Sequence, residues 1–191
     1  MRPRARGSTL VDLLVGTAMG LGVLGALSAA VAAGGHLLVG AAARGEAEDT
    51  AALAVEAFVF DLRRAGYDPA GSGMAPVREA LAQRLLLEAD LDGDGAVDPD
   101  SEETIAWVCA PATRRLSRLV GRQSLPLADG VTRCALTYFD AGGRPIAMPV
   151  SGLDAAARRT VRTIALEMAL RPSGLAAETT RRARVALRGA P

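Results

Sequence analysis

The apolar positions of this chain follow three successive patterns. Across residues 13–43 no side chain carries a formal charge, taking His36 as neutral. A helix of that length is about 46 Å long, and about 20 apolar residues suffice to cross a bilayer, so the spacing predicts a spanning helix with length to spare. Gly16 and Gly20 form a G-x-x-x-G pair within it, with Gly22, Gly25, Gly34, Gly35 and Gly40 beyond. Small residues of this kind let helices approach closely in a membrane or a filament core. After Arg44 the pattern turns amphipathic. Ala52, Val55, Val59 and Leu62 recur at helical spacing, while Glu48, Asp49, Glu56, Asp61 and Arg63 take other faces. Gly66 and Pro69 supply the stop signal, so the helix is expected to run on to residue 66. From there the period shortens towards two. Residues 84–89, 104–110, 131–140, 161–171 and 180–188 read as strands, most clearly where Ile164, Leu166, Met168 and Leu170 alternate along one face. Residues 76–83 read as an extra helical turn. The architecture expected is α+β, a long helix packed on an antiparallel sheet.

Composition narrows the function. The 191 residues carry 22 basic and 21 acidic groups, a net charge of +1, which argues against a broadly basic nucleic-acid binder. Every basic residue is Arg, so lysine Schiff-base and P-loop lysine chemistry are absent from the sequence. The single histidine, His36, lies in the apolar run, leaving no base for a Ser–His or Cys–His pair. The chain does not read as an enzyme, and no organic cofactor is implied.

The flanks of the apolar run set its orientation. Arg2, Arg4 and Arg6 precede it without an acid, which keeps that end in the cytoplasm and sends everything after residue 43 across the membrane. An ordinary cleavable signal peptide is the rival, with Val31-Ala32-Ala33 before Gly34 as its cleavage point. Against it stands Asp12, a carboxylate inside the apolar stretch. Such a group costs roughly 2.5–3.5 kcal/mol at mid-membrane depth and calls for a partner.

The string Arg6-Gly7-Ser8-Thr9-Leu10-Val11-Asp12-Leu13-Leu14 resembles the class III signal of type IV pilins and type II secretion pseudopilins. That family has a short basic leader ending in Gly, a "TL" pair, an acid at the fifth mature position and about twenty apolar residues. The resemblance implies cleavage by a prepilin peptidase between Gly7 and Ser8, methylation of the Ser8 amine, and pairing of Asp12 with the amine of a neighbouring subunit. Ser8 stands where the family usually has Phe, and Asp12 where it usually has Glu. A second string, Asp61-Leu62-Arg63-Arg64-Ala65-Gly66-Tyr67, resembles the LRxAGY motif that closes this helix in PilW-type minor pilins. Looser similarity to those proteins and to J-type minor pseudopilins lies in Thr137-Tyr138-Phe139-Asp140-Ala141-Gly142-Gly143 and in Arg184-Val185-Ala186-Leu187-Arg188. The implied organisation is a leader (1–7), a filament-core helix (8–43), its amphipathic continuation (44–66) and a periplasmic β domain (67–191) of pilin-like fold.

Within that domain residues 88–103 hold eight acids and no base: Glu88, Asp90, Asp92, Asp94, Asp98, Asp100, Glu102 and Glu103. Asp90, Asp92, Asp94 and Asp98 fall at positions 1, 3, 5 and 9 of an EF-hand-like loop, with Gly95 at the sharp turn. Ser101 stands where that loop has its bidentate Glu, so Glu102 or Glu103 would substitute. The candidate cation is structural calcium, held by Asp90, Asp92, Asp94, the Ala96 carbonyl, Asp98 and Glu102 or Glu103. The competing reading is an acidic hairpin tip, since Asp-Gly pairs make turns without a metal. Cys109 and Cys134, the two cysteines, are expected to pair if the domain is exported, or else to be two small buried hydrophobes. Arg158, Arg159, Arg162, Arg171, Arg181, Arg182, Arg184 and Arg188 form either a solvated face or a patch for DNA or an acidic neighbour.

Three functions remain. The favoured one is a minor pilin or pseudopilin that helps to initiate or cap a pilus or a type II secretion pseudopilus. Its partners would be other pilins or pseudopilins, the prepilin peptidase and the inner membrane. The others are an exported calcium-binding adhesion or interaction module with an ordinary signal peptide, and a DNA-uptake pilin.

Overall fold

In the computed structural model residues 9–171 and 178–188 are described. They form two units, divided between Ala43 and Arg44. One helix, α1 (Thr9–Arg64), contributes to both. Up to residue 43 the described side chains of α1 are almost all exposed, and the helix is long and apolar enough to cross a membrane by length and composition. Two of its hydroxyls bond within the helix: Thr17 Oγ1 donates to the Leu13 and Leu14 carbonyls at 2.9 and 3.0 Å, and Ser28 Oγ to that of Leu24 at 2.8 Å. This local bonding lets them sit in an apolar surround without an unmet donor.

The second unit is α+β. Ala51, Ala54, Phe58, Leu62 and Ala65 turn the end of α1 into the core. Leu62 is buried as expected, while the rest of the stripe is set one position away: Ala52 is exposed and Val55 and Val59 are half-buried. Phe58 meets Trp107 edge to face, with ring centroids 5.1 Å apart. Five strands form an antiparallel meander: β1 (Val77–Ala80), β2 (Arg84–Glu88), β3 (Thr104–Ala110), β4 (Arg115–Val120) and β5 (Gln123–Asp129). A second meander holds β6 (Val131–Phe139), β7 (Thr163–Leu170) and β8 (Thr179–Ala186), with a short α2 (Ala155–Thr160) in the β6–β7 connection. The Asp154 side chain caps α2 by accepting from the Ala157 N–H at 2.7 Å.

The expected helical turn at 76–83 is instead strand β1. Its helix-forming residues (Arg78, Glu79, Ala80, Leu81) are overruled by pairing with β2, to which Val77 and Ala80 add buried side chains. Strands β4 and β5 leave little mark on the sequence because apolar alternation is nearly absent: Leu116 alone is buried in β4, and β5 is an exposed edge carrying Pro126.

The two sheets share one core and are tied at several points. The backbone N–H of Leu136 donates to the Ala82 carbonyl at 2.9 Å, and Tyr138 Oη donates to Leu81 O at 2.8 Å. Cys109 on β3 and Cys134 on β6 form a disulfide, with Cα atoms 5.6 Å apart.

Candidate functional site: an acidic loop at the helix exit

The loop between β2 and β3 is built on the chain leaving α1. The Gly66 N–H donates to the Glu88 carbonyl at 2.9 Å, and the Asp90 N–H to the Tyr67 carbonyl at 2.7 Å. Gly93 and Gly95 have φ of +80° and +81°, so each allows a reversal that an L side chain resists. Two of the acids turn inward. Asp90 is fully buried and accepts from the Gly93 and Gly95 N–H groups at 2.7 and 3.0 Å. Glu103, also buried, takes the Leu91 N–H at 2.7 Å on one oxygen and the Asp98 N–H at 2.8 Å on the other. Donation from the Asp98 amide, then from Leu91, holds the Glu103 carboxyl below its ordinary range, against the opposing effect of burial.

Ligand atoms of Asp90, Asp92 and Glu103 all lie within 4.8 Å of one another. The structure therefore gathers two of the expected first positions with Glu103, two residues beyond Ser101. Asp94, Asp98 and Glu102 fall outside this group. Asp94 accepts from the Ala96 N–H at 2.8 Å, Asp98 from the Asp100 N–H at 2.9 Å, and Glu102 faces Arg64 at 3.7 Å. A carboxylate oxygen that accepts one backbone N–H keeps a second lone pair, so Asp94 and Asp98 retain the capacity to ligate a hard cation. Charge on the rim is offset from outside the loop: Arg122 pairs with Asp100 at 2.6 Å and Arg78 with Glu88 at 3.8 Å. Burial nonetheless raises the Glu88 carboxyl above its ordinary range, opposed by Arg78 and Arg158.

Next to this loop lies a group that sequence pattern placed on a solvent face. Asp61 is 1% exposed. Its Oδ2 accepts from Trp107 Nε1 at 2.9 Å and from Arg118 Nε at 2.6 Å, and its Oδ1 accepts from Arg118 Nη2 at 2.8 Å. The available signal was position: Asp61 follows Ala54 and Phe58 at i+7 and i+3, on the stripe that became the core.

Of the processing residues, Gly7 and Ser8 lie outside the described residues. Asp12 is exposed on α1 and makes no ion pair among the described residues. In the arginine-rich C-terminal part Arg171 pairs with Glu178, which Arg133 also reaches, Arg182 pairs with Glu167, and Arg184 stacks 4.0 Å from the Phe139 ring centroid. No protein-family model and no curated protein matches the chain.

Proposed function

We propose that this chain is a minor type IV pilin or pseudopilin, a structural subunit that helps to start or cap a pilus or a type II secretion pseudopilus. The observation that carries the reading is a basic leader ending in Gly7, followed by Asp12 within an apolar helix that continues unbroken into the core of an α+β domain. A cleaved secretory signal has no use for that continuity, whereas a filament subunit needs one element that is both membrane anchor and domain spine. In this reading the N-terminus is cytoplasmic, the β domain periplasmic, and the partners are other pilins or pseudopilins and the prepilin peptidase. Protein extracted from membranes should begin at Ser8 with a methylated amine, as read by intact mass and N-terminal sequencing. A mature chain beginning near Gly34 would favour the exported module instead.

The acidic loop adds a second part to the proposal: a structural calcium on Asp90, Asp92 and Glu103. The convergence of those three ligand atoms supports it. A cation that binds only the folded form raises its melting temperature by mass action, and extracellular sites commonly have affinities around 10⁻⁴–10⁻³ M. Millimolar calcium should therefore raise the melting temperature of the full chain in detergent, magnesium should do less, and Asp92→Ala should abolish the gain. No shift and no binding heat would leave the loop a hydrogen-bonded turn.

A further inference from the structure

The outer strands of the two sheets are guarded unequally. On β1 the Ala80 carbonyl accepts from the Leu153 N–H at 2.9 Å, and on β6 the Leu136 N–H donates to the Ala82 carbonyl at 2.9 Å. On β5 Pro126 removes a donor, and the pairing with β4 shifts register between Leu116 and Ser117. Strand β8 has none of these safeguards. It pairs with β7 alone, in unbroken register from Thr163 opposite Ala186 to Leu170 opposite Thr179, and contains no proline. Every second residue of an edge strand turns its N–H and C=O outward, and along β8 these groups bond to nothing beyond β7 among the described residues. Charged side chains commonly cover such an edge. Here they lie back over the sheet. Arg182 meets Glu167 of β7 at 3.0 Å, and Arg184 reaches past its cross-strand neighbour Ala165 to stack 4.0 Å from the Phe139 ring centroid on β6.

Charge says what fits this edge. Residues 159–188 carry seven arginines and two acids. Both acids are engaged, Glu167 by Arg182 and Glu178 by Arg171 and Arg133. Arg181 and Arg188 are exposed and make no ion pair among the described residues. One stands near the start of β8 and the other just past its end, seven residues apart, or about 23 Å along an extended chain. We propose that the β8 edge takes up an extended segment of another protein as a fourth strand of this sheet, with a carboxylate towards each end to meet Arg181 and Arg188. Main-chain pairing supplies the contact, and the two guanidiniums select the segment. A second copy of the chain does not fit through the same edge, because β8 against β8 sets arginine against arginine. The inference stands apart from the filament reading, since it concerns a sheet edge and not the spanning helix.

The test uses the full chain in detergent and a capped peptide matched to the eight residues of β8, alternating threonine and valine with glutamate at both ends. Calorimetry should detect binding at millimolar peptide, and hydrogen exchange should slow at residues 179–186 while residues 123–129 of β5 stay unchanged. The same peptide with every amide N-methylated should not bind, because it offers the edge no donors. Arg181→Glu and Arg188→Glu should each weaken binding roughly threefold or more, as expected for reversing an exposed ion pair. Arg181→Glu combined with Arg188→Glu should prefer a peptide that ends in arginines. All three variants should melt as the wild type does, since neither side chain has an acidic partner to lose among the described residues. Absence of binding, protection at β5 instead, equal binding of the methylated peptide, or indifference to the reversals would each overturn the proposal. So would retention of a short DNA duplex that both reversals abolish while the peptide goes unbound, which would give these arginines to nucleic acid. The measurement does not depend on the mature N-terminus. Its failure leaves a Ser8 start standing, and a start near Gly34 leaves the β8 edge standing.

Discussion

Burying the Asp61 carboxylate between helix and sheet is costly unless its charge and lone pairs are met, and Arg118 and Trp107 meet them together. Hydrogen bonding to Asp61 also raises the Arg118 guanidinium further above its already high ordinary value, so that partner keeps its charge at any working pH. Arg118→Ala would strand a buried anion, and breaking such a pair costs about 3 kcal/mol or more. Asp61→Asn combined with Arg118→Ala should recover part of that loss, because no charge then remains to be buried. Denaturant unfolding of Arg118→Ala, of Asp61→Asn alone and of the double variant measures the coupling, and additive losses would show that the pair does not act as a unit. Glu103 gives a prediction of opposite kind. Its folded carboxyl titrates below the unfolded one, so its contribution is complete above the ordinary glutamate range, near pH 4.3, and is lost as pH falls through the lower folded value. Glu103→Gln should therefore be less stable at neutral pH and should show a shallower loss of stability in acid. A variant whose acid-unfolding curve parallels the wild type would assign the acid sensitivity to other carboxylates, of which Asp68 and Glu178 are also held low.

At the scale of elements, the disulfide joins two meanders that otherwise meet through packing and a few hydrogen bonds. The bond spans 25 residues, β4 and β5 among them. A loop of that size corresponds to about 3 kcal/mol of stabilisation in the chain-entropy model. Cys109→Ser with Cys134→Ser should lose stability on that scale while keeping both sheets, and circular dichroism with thermal unfolding reads both outcomes; an unchanged melting temperature would make the bond incidental. Elements were legible in the sequence where burial imposes a period. Strands β2, β3, β6 and β7 lie near their expected ranges because each alternates or runs apolar through the core, and β8 was marked only at its end, where Ala183, Val185 and Leu187 alternate inward. Strand β1 and strand β5 were not legible. The first is four residues long with a bulge, and the second is an exposed edge whose pairing comes from the backbone, which leaves no mark on side-chain pattern. The acidic loop was legible in composition but not in detail. Carboxylates at 90 and 92 come together with Glu103 because the β2–β3 pairing, not linear spacing, brings residue 103 back beside residue 90: the Ala89 N–H donates to the Glu103 carbonyl at 2.9 Å.

Across the whole molecule, the proposed function makes Asp12 act with opposite sign at two steps. A carboxylate within an apolar helix opposes insertion by roughly 2.5–3.5 kcal/mol at the bilayer centre, less near the interface. Asp12 has no ion-pair partner among the described residues, so none of them offsets that cost. In a filament the offset would come from the Ser8 amine of a neighbour, a charge pair shielded from water and therefore far stronger than one at a surface. Removing the carboxylate should then help the first step and harm the second. Asp12→Ala should insert at least as well as the wild type and should still be cut after Gly7, because the proposed cleavage signal is the basic leader and its terminal Gly. Its incorporation into filaments should fall, with an amine left unpaired at each contact. Asp12→Glu should assemble at least as well as the wild type, since the longer stem keeps the charge and extends its reach. Membrane fractionation, N-terminal sequencing and the share of protein recovered in sheared filaments measure the three steps separately. Normal filament recovery for Asp12→Ala would remove the pairing role of Asp12 while leaving the processing signal intact. Failure of that variant to be cut would instead place Asp12 within what the peptidase recognises.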